Sequence, residues 1–468
     1  MYKKGFESQN NEIEISDLPI IGKIPNWLNG TLFRNGPGKF EYPNKKLVHW
    51  FDGPAMISRF EFNNGKMSYQ NKFVETEIYS GSNKQGKMIA TEYGTDHRNS
   101  LRKIVDLVRF KTPKMSDNVN VNFLKVRDDL LAITGGKAHY QFNQKNLETI
   151  NKYKFEDDRK INLTGQTPHP SLDTKTGDTY NIGFNFMKNE YQFIKIPKGT
   201  KKRINIATVK TKRMSDIHSF STTENYIIFI EIPWLLNKLK LITQSSYLDA
   251  LEWKPENGTH FIVVNKQTGN VKTIHYDEAL NFGHTANAFE KDNKIIIDMP
   301  YFSSSNINDM RVDNILEVGQ SIDEFNSFSR FTIDLNKEIV MKEKIVDDFV
   351  ELETINYKNY NEKEYQFTYG PSQLKTSKFF DRLIKIDVKN KSIKYWLEEN
   401  TFPGEPIFVA HPEAKSEDDG ILLTVFLDGE SGNSFMHIMD AKSFTEIARI
   451  NLPQHIPFGF HGQFYKNY

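Results

Sequence analysis

Residues 261–274 read FIVVNKQTGNVKTI: an alternating apolar stretch, a turn that opens at Asn265, and a second alternating stretch. Side chains that alternate in this way point to opposite faces of a β-strand, so the segment predicts a β-hairpin. Six further segments repeat the pattern, with turns that open at Asn63, Asn143, Pro197, Asp334, Asp387 and Asp440. Successive turns lie 53 to 80 residues apart, a spacing close to that of four-stranded propeller blades of about 40–50 residues with variable loops. The sequence therefore predicts an all-β fold, a seven-bladed β-propeller.

The composition limits the class of function. Lys and Arg together number 61 and Asp and Glu together number 60, and this balance, spread along the chain, disfavours a nucleic-acid-binding protein. The 35 Phe and 20 Tyr residues suit a large core or an apolar ligand cavity. Because the chain has no Cys, any transition metal would be bound by His and carboxylate side chains.

The domain organisation is expected to be simple. No Pro-, Gly- or Ser-rich linker divides the chain, so residues 1–468 are expected to form one domain, with insertions at about 96–118 and 233–258 that cover the top face as a helical and loop cap. No run approaches the roughly 20 apolar residues that cross a bilayer, and a soluble cytoplasmic protein is expected. Residues 98–114 and 233–242 mix apolar and basic residues as interfacial segments do, although helices packed on the propeller would explain them equally.

Four histidines share one position relative to the predicted hairpins. Each lies 19 to 26 residues after a turn: His169, His218, His284 and His461. The strand that follows an outer hairpin is the innermost strand of the next blade, so side chains at this position are predicted to converge at the propeller axis. Glu351 and Glu405 lie 17 and 18 residues after turns and share the position. The other eight histidines are expected to be structural or exposed: His49, His97, His139, His260, His275, His411, His437 and His455.

The sequences around these positions resemble the carotenoid cleavage oxygenase family, especially the animal β-carotene oxygenases and the retinoid isomerohydrolase. The resemblance spans nearly the whole chain and is carried by blocks in one order: NGTLFRNGPGKFE at 29–41, HWFDGPAMI at 49–57, TPHP at 167–170, DIHSF at 216–220, FGHTANAFE at 282–290, ELETIN at 351–356, GEPIFVAHP at 404–412 and FHGQF at 460–464.

This resemblance implies the roles of six residues. It implies that Fe(II) is bound by four histidines: His169, His218, His284 and His461. It implies that Glu351 and Glu405 accept hydrogen bonds from the outer ring nitrogens of ligand histidines, which fixes the orientation of the rings. Four imidazoles leave two positions of an octahedral ion free for dioxygen and for substrate or water.

Two positions depart from what the resemblance leads us to expect. Gly135 stands where the family usually has a third glutamate that orients a ligand histidine, here His218, and loss of such a partner commonly lowers metal affinity about 10–100-fold. Thr134 is expected to lie next to the open positions of the ion. In the stilbene-cleaving relatives that this chain resembles, the corresponding residue is a lysine that binds the phenol of the substrate. Threonine has no ammonium group to bind a phenol, so an apolar polyene is favoured over a hydroxystilbene.

The leading hypothesis is oxidative cleavage of a carotenoid or apocarotenoid to carbonyl products by iron and dioxygen, with β-carotene to retinal as the expected case. Three alternatives stay open: a redox-neutral retinyl-ester isomerohydrolase, a stilbene-cleaving dioxygenase, and a propeller that binds carotenoid without reacting. The last is motivated by Gly135.

Overall fold

The computed structural model of the protein describes residues 1–109, 111, 113–243, 246–305, 310–322 and 324–466. Within these residues, seven sheets of three or more strands, antiparallel except where Glu156–Asp157 pairs parallel with Lys202–Lys210, form the blades of a β-propeller. The predicted seven-bladed architecture is confirmed.

The first four blades take their strands, from the axis outward, in the following order. Blade one contains Gly462–Tyr465, Gly30–Pro37, Ala55–Asn63, Lys66–Phe73 and Glu14–Ile15. Blade two contains Asn122–Val126, Asp129–Ile133, His139–Phe142 and Thr149–Lys152. Blade three contains Gly165–Gln166 with Ser171–Leu172, then Thr179–Asn185, Glu190–Ile196, Lys202–Lys210 and Glu156–Asp157. Blade four contains Ser221–Thr222, Tyr226–Glu231, Thr259–Asn265 and Val271–Tyr276.

The remaining three blades follow the same plan. Blade five contains Asn287–Lys291, Lys294–Phe302, Phe325–Asp334 and Ile339–Val346. Blade six contains Phe367–Ser372, Arg382–Asp387 and Ser392–Leu397, with a bridge from Thr354 to Tyr369 on its inner side. Blade seven contains Thr401–Pro403 with Ile407–Ala410, then Gly420–Asp428, Ser434–Asp440, Thr445–Asn451 and Ile20–Gly22.

Helices and short hairpins occupy the connections between strands. The α-helices of the described residues are α1 Glu77–Gln85, α2 Ser100–Val108, α3 Lys238–Thr243, α4 Val312–Glu317 and α5 Tyr357–Tyr360. The 3-10 turns are Tyr2–Phe6, Trp50–Asp52, Leu248–Ala250 and Pro255–Asn257. Two-stranded hairpins pair Glu41–Tyr42 with Lys45–Lys46 and Trp234–Leu236 with Leu251–Trp253. None of the helices described has the length and apolarity needed to cross a membrane.

All seven predicted hairpins are found at their predicted turns, between the third and fourth strands of six blades and between the second and third strands of blade six. Hydrogen bonds within the turns explain why these hairpins can be predicted from the sequence. Asn265 Oδ1 accepts hydrogen bonds from the backbone amides of Gln267 and Thr268, and Asp440 Oδ1 accepts from those of Lys442 and Ser443. Such bonds close the turn from within the hairpin, so they need no tertiary partner.

The ring of blades closes through the two ends of the chain. The last strand, Gly462–Tyr465, pairs antiparallel with Gly30–Pro37, with Thr31 opposite Tyr465 and Arg34 opposite Gly462. Pairing the final strand into the first blade removes two open sheet edges, which would otherwise present unpaired backbone groups.

One histidine outside the axis is locked in its neutral form between blades two and three. His139 Nε2 accepts a hydrogen bond from Gln166 Nε2 at 2.6 Å, and its Nδ1 donates to the Lys137 carbonyl at 3.2 Å. Gln166 is held in this orientation by Arg203, which donates to its Oε1. Burial, and then the charge of Arg203, lowers the pKa of His139 to about 3.

This arrangement predicts a pH dependence of stability. In the unfolded chain His139 takes up a proton near pH 6.5, whereas in the folded protein it stays neutral down to about pH 3. The free energy of unfolding should therefore fall as the pH drops below 6.5, by up to about 1.4 kcal/mol per pH unit for this group. Urea unfolding at pH 7.5 and pH 5.5 should show a smaller loss for His139→Gln than for the native protein. His275→Gln, at a half-exposed position, is the control and should keep the native difference; equal losses in all three proteins would contradict the assignment.

Candidate metal centre

Four histidines converge at the inner ends of four blades. His169 lies between the two inner strand segments of blade three, and His218, His284 and His461 precede the innermost strands of blades four, five and one. In five of the six pairs of these imidazoles the ring centroids lie 4.5 to 4.9 Å apart. One ring nitrogen from each histidine lies within 4.8 Å of the others. The structure thus brings together the four residues that the spacing predicted to meet.

The nitrogens are arranged as ligands of one ion would be. Nε2 of His218 lies 3.2 Å from Nε2 of His169 and 3.2 Å from Nε2 of His284. With metal–nitrogen bonds of about 2.1 Å, neighbouring nitrogens of an octahedral ion lie about 3 Å apart. The donor set therefore fits a transition metal ion.

Glu351 orients one of these rings. His284 Nδ1 donates to Glu351 Oε1 at 2.5 Å. An ionised carboxylate can only accept, so the ring proton lies on Nδ1 and the Nε2 lone pair faces the other histidines. Glu351 is 4% exposed, which keeps the pair away from competing water.

Glu405 orients a second ring and is itself held by a cation. His461 Nδ1 donates to Glu405 Oε1 at 2.8 Å, while Arg34 Nη1, at 2.5 Å, and the Gly462 amide donate to Oε2. Burial alone would raise the pKa of Glu405, but His461, Arg34 and the Gly462 amide together hold this pKa below its ordinary value. Arg34 was not among the site residues predicted from the sequence; its place in the block NGTLFRNGPGKFE was the only available signal.

The other two histidines have no carboxylate partner. Within the described ranges, neither His169 nor His218 makes a hydrogen bond from Nδ1 to a side chain. Phe51 instead stacks on the His218 ring, with centroids 6.0 Å apart and an interplanar angle of 8°. Burial, and then repulsion from neighbouring imidazoles, lowers the pKa of both His169 and His218 well below its ordinary value. Both rings therefore stay neutral, as metal ligands must be.

Gly135 lies in the turn between the second and third strands of blade two. Its carbonyl accepts a hydrogen bond from the Gln166 amide, and a Cβ added at Gly135 would meet only the Gln166 carbonyl, at an ordinary 3.7 Å. The position therefore has room for a side chain. Thr134 is half-buried in the same turn, and its predicted place beside the open positions stays a prediction.

A cavity of about 970 Å³, counting its open mouth, leads to the histidines. Its wall includes His218, His284 and His461 and is otherwise rich in aromatic residues: Trp50, Phe51, Tyr93, Phe229, Trp234, Phe282, Phe380 and Phe460. Asp216 is the charged exception apart from Glu351. It accepts a hydrogen bond from Tyr247 at 3.2 Å, and burial raises the pKa of Asp216 to about 6.

The model of the family described as retinal pigment epithelial membrane protein, RPE65, matches residues 6–466 of this chain. The chain belongs to this family of carotenoid oxygenases. The mitochondrial carotenoid-cleaving dioxygenase of Macaca fascicularis is 31% identical, over 95% of this chain and 91% of that protein. The β,β-carotene 15,15′-dioxygenase of Gallus gallus is 28% identical, over 95% and 94%.

Solved structures of carotenoid oxygenases share the whole fold. Cobalt-substituted Synechocystis apocarotenoid oxygenase is 26% identical with a TM-score of 0.87, over 100% of this chain and 98% of that one. A chimera of that oxygenase with RPE65 is 27% identical with a TM-score of 0.84, over the same shares. The resemblance read from the sequence blocks is confirmed.

The hydrogen bond between Glu351 and His284 makes a testable prediction. Glu351→Gln keeps the size of the side chain but removes its charge, and losing such a partner commonly lowers metal affinity about 10–100-fold. Anaerobic equilibrium dialysis against Fe(II) or Co(II) should show this loss. Glu446→Gln is the matched control, because Glu446 forms a similar pair with His437, at 3.0 Å, in the outer strands of blade seven. Equal metal affinities for both variants would contradict the assigned role.

Proposed function

We propose that the protein is a non-haem Fe(II) dioxygenase that cleaves a conjugated double bond of a carotenoid or apocarotenoid to two carbonyl products. The observation that carries the proposal is the position of three of the four clustered histidines on the wall of a deep aromatic cavity. The names of the relatives support it. The proposed working unit is the whole chain, 1–468, as one domain with the cap insertions at 96–118 and 233–258.

His169, His218, His284 and His461 would hold the iron, and Glu351 and Glu405 would keep two of these rings aimed at it. Bound Fe(II) supplies the activation of dioxygen next to the substrate double bond. The chain itself supplies neutral nitrogen donors, two anchored carboxylates and an enclosed apolar site.

The cavity wall suits a substrate that is long, apolar and conjugated. Aromatic rings offer flat, polarizable surfaces against which a polyene can pack. Such a wall also excludes water, so the substrate is bound by burial of apolar surface and needs few hydrogen bonds. Phe51 and Phe460 lie in edge-to-face contact, with centroids 4.9 Å apart, and together with His218 they border the place where the reacting bond would lie.

The origin of the product oxygen tests the proposal. Iron-loaded protein supplied with β-carotene and ¹⁸O-labelled dioxygen should give retinal or an apocarotenal that carries the label, as measured by chromatography with mass spectrometry. His284→Ala, which removes one ligand, should lose this activity. Unlabelled retinol released from a retinyl ester would instead identify an isomerohydrolase, and turnover of a hydroxystilbene alone would identify a stilbene-cleaving enzyme. Binding of carotenoid with no product would leave a non-catalytic binding protein.

We also propose that the cap meets a membrane surface, where apolar substrates are stored. Helix α2 begins after Asn99, whose side chain accepts a hydrogen bond from the Arg102 amide. It exposes Leu101, Ile104 and Val108, at 72%, 59% and 73%, and the adjacent α3 exposes Leu239 at 70%. Residues in the segments that precede α2 and α3 line the cavity. The exposed apolar residues of these two helices are therefore close in sequence to the cavity wall.

One residue of the segments predicted to be interfacial differs from a uniform basic and apolar face. Arg98 is buried and paired with Asp96 at 2.9 Å, so it anchors the cap instead of contacting lipid. Residues 110 and 112 of the 98–114 segment lie outside the described residues. The proposed contact therefore rests on the three exposed apolar residues of α2 and on Leu239.

Vesicle co-sedimentation tests this contact. The double variant Leu101→Glu/Ile104→Glu should bind vesicles that contain anionic phospholipid several-fold less than the native protein, because charged groups are expensive to insert at an interface. Leu397→Glu, at a half-exposed position on the outer strand of blade six, is the control and should bind as the native protein does. Equal sedimentation of the α2 variant and the native protein would exclude α2 as the contact.

A further inference from the structure

A third acidic residue, Glu353, lies beside the histidine cluster and orients none of its rings through a hydrogen bond. Glu353 is two residues after Glu351 in the inner segment of blade six, and both residues are 4% exposed. One oxygen of each carboxyl group and one ring nitrogen of His284 lie within 4.8 Å of one another. Between them, Leu352 adopts a φ of +51°, in the left-handed region that non-glycine residues rarely occupy.

The carboxyl group of Glu353 has no partner. Both of its oxygens, and Oε2 of Glu351, are buried without a hydrogen bond to any of the residues that the structure describes. Burial, and then the charges of Glu351 and Glu405, raises the pKa of Glu353 well above its ordinary value. A buried acid without partners lowers stability, so its presence requires a compensating interaction that the protein atoms do not provide.

The charges around the histidines indicate what that interaction is. Four neutral imidazoles do not reduce the two positive charges of a bound divalent cation. The negative charges of Glu351 and Glu405 would offset them. Arg34, however, is paired with Glu405 and restores one positive charge. A centre with only these groups keeps a net positive charge in a buried site, and one further carboxylate would bring it to neutrality.

Resting on the metal site of the proposed function, we propose that Glu353 supplies this third negative charge to the cation-bound centre, in place of the carboxylate that is absent at Gly135. It is a positioning residue that acts through the field at the histidine cluster, since it makes no hydrogen bond to a ligand. The third carboxylate has thus moved from blade two to blade six, and the four-histidine site keeps three carboxylates around it.

Metal affinity and thermal stability, measured together, test this role. Glu353→Gln should lower the affinity for Co(II) and for Fe(II) about tenfold or more, as measured by anaerobic equilibrium dialysis. In the metal-free protein the same variant should melt at the native temperature or above it, because it removes a buried acid. The rise in Tm on adding saturating Co(II) should be smaller than for the native protein. A residue that only supported packing would lower the metal-free Tm instead.

Two further variants make the test specific. Glu231→Gln removes a carboxylate of similar burial, 3% exposed, in blade four, where it accepts a hydrogen bond from Tyr191 of blade three; it should leave metal affinity unchanged. Gly135→Glu combined with Glu353→Gln should recover at least part of the lost affinity, because the added side chain has room and returns the charge to blade two.

The outcomes separate this inference from the proposed function. Metal affinity of Glu353→Gln equal to that of the native protein, or failure of the native protein to bind either metal, would overturn the inference. If Glu353→Gln lowers the metal affinity and the added Gly135→Glu recovers it, but the native protein cleaves no polyene, the inference stands and the proposed reaction is overturned.

Discussion

The pairing of the last strand, Gly462–Tyr465, with Gly30–Pro37 is the constraint on which the candidate metal centre depends. His461 directly precedes the last strand, and Arg34 lies opposite Gly462 on the partner strand. One ladder of backbone hydrogen bonds therefore places both a histidine of the cluster and the cation that holds Glu405. A change that opens the ring would displace this histidine and the cation that holds its carboxylate together, so closure of the fold and assembly of this part of the site depend on the same strand pairing.

The four histidines are held by two different means. His284 and His461 are oriented by buried carboxylates, through short hydrogen bonds that fix the ring proton on Nδ1. His169 and His218 depend on packing. Phe51 belongs both to the stack on His218 and to the cavity wall, so the orientation of this ring is coupled to the packing of the cavity.

The fold was predictable because the sequence patterns that determine its strands and turns are local. Alternating strands and side-chain-closed turns such as that at Asn265 act within about ten residues, and their repetition placed the four histidines at the axis. Arg34 could not be predicted as a partner of Glu405, because the two are 371 residues apart and meet only when the ring closes. Glu353 was missed for a related reason, since only the assembled axis shows that its oxygens have no partner.

Local rules are broken where the proposed chemistry lies. The left-handed backbone at Leu352, which lies outside the turns where most other left-handed non-glycine residues of the chain occur, and the buried carboxyl group of Glu353 each lower the stability of the chain. Such features persist only where the surrounding structure overrides them, and they concentrate at functional sites. Here both belong to the segment that carries Glu351, so the strained backbone and the unpartnered acid lie next to the ring that this glutamate orients. With a cation among the histidines, as proposed, the neutral imidazoles would become its ligands and the buried acids its counter-charges.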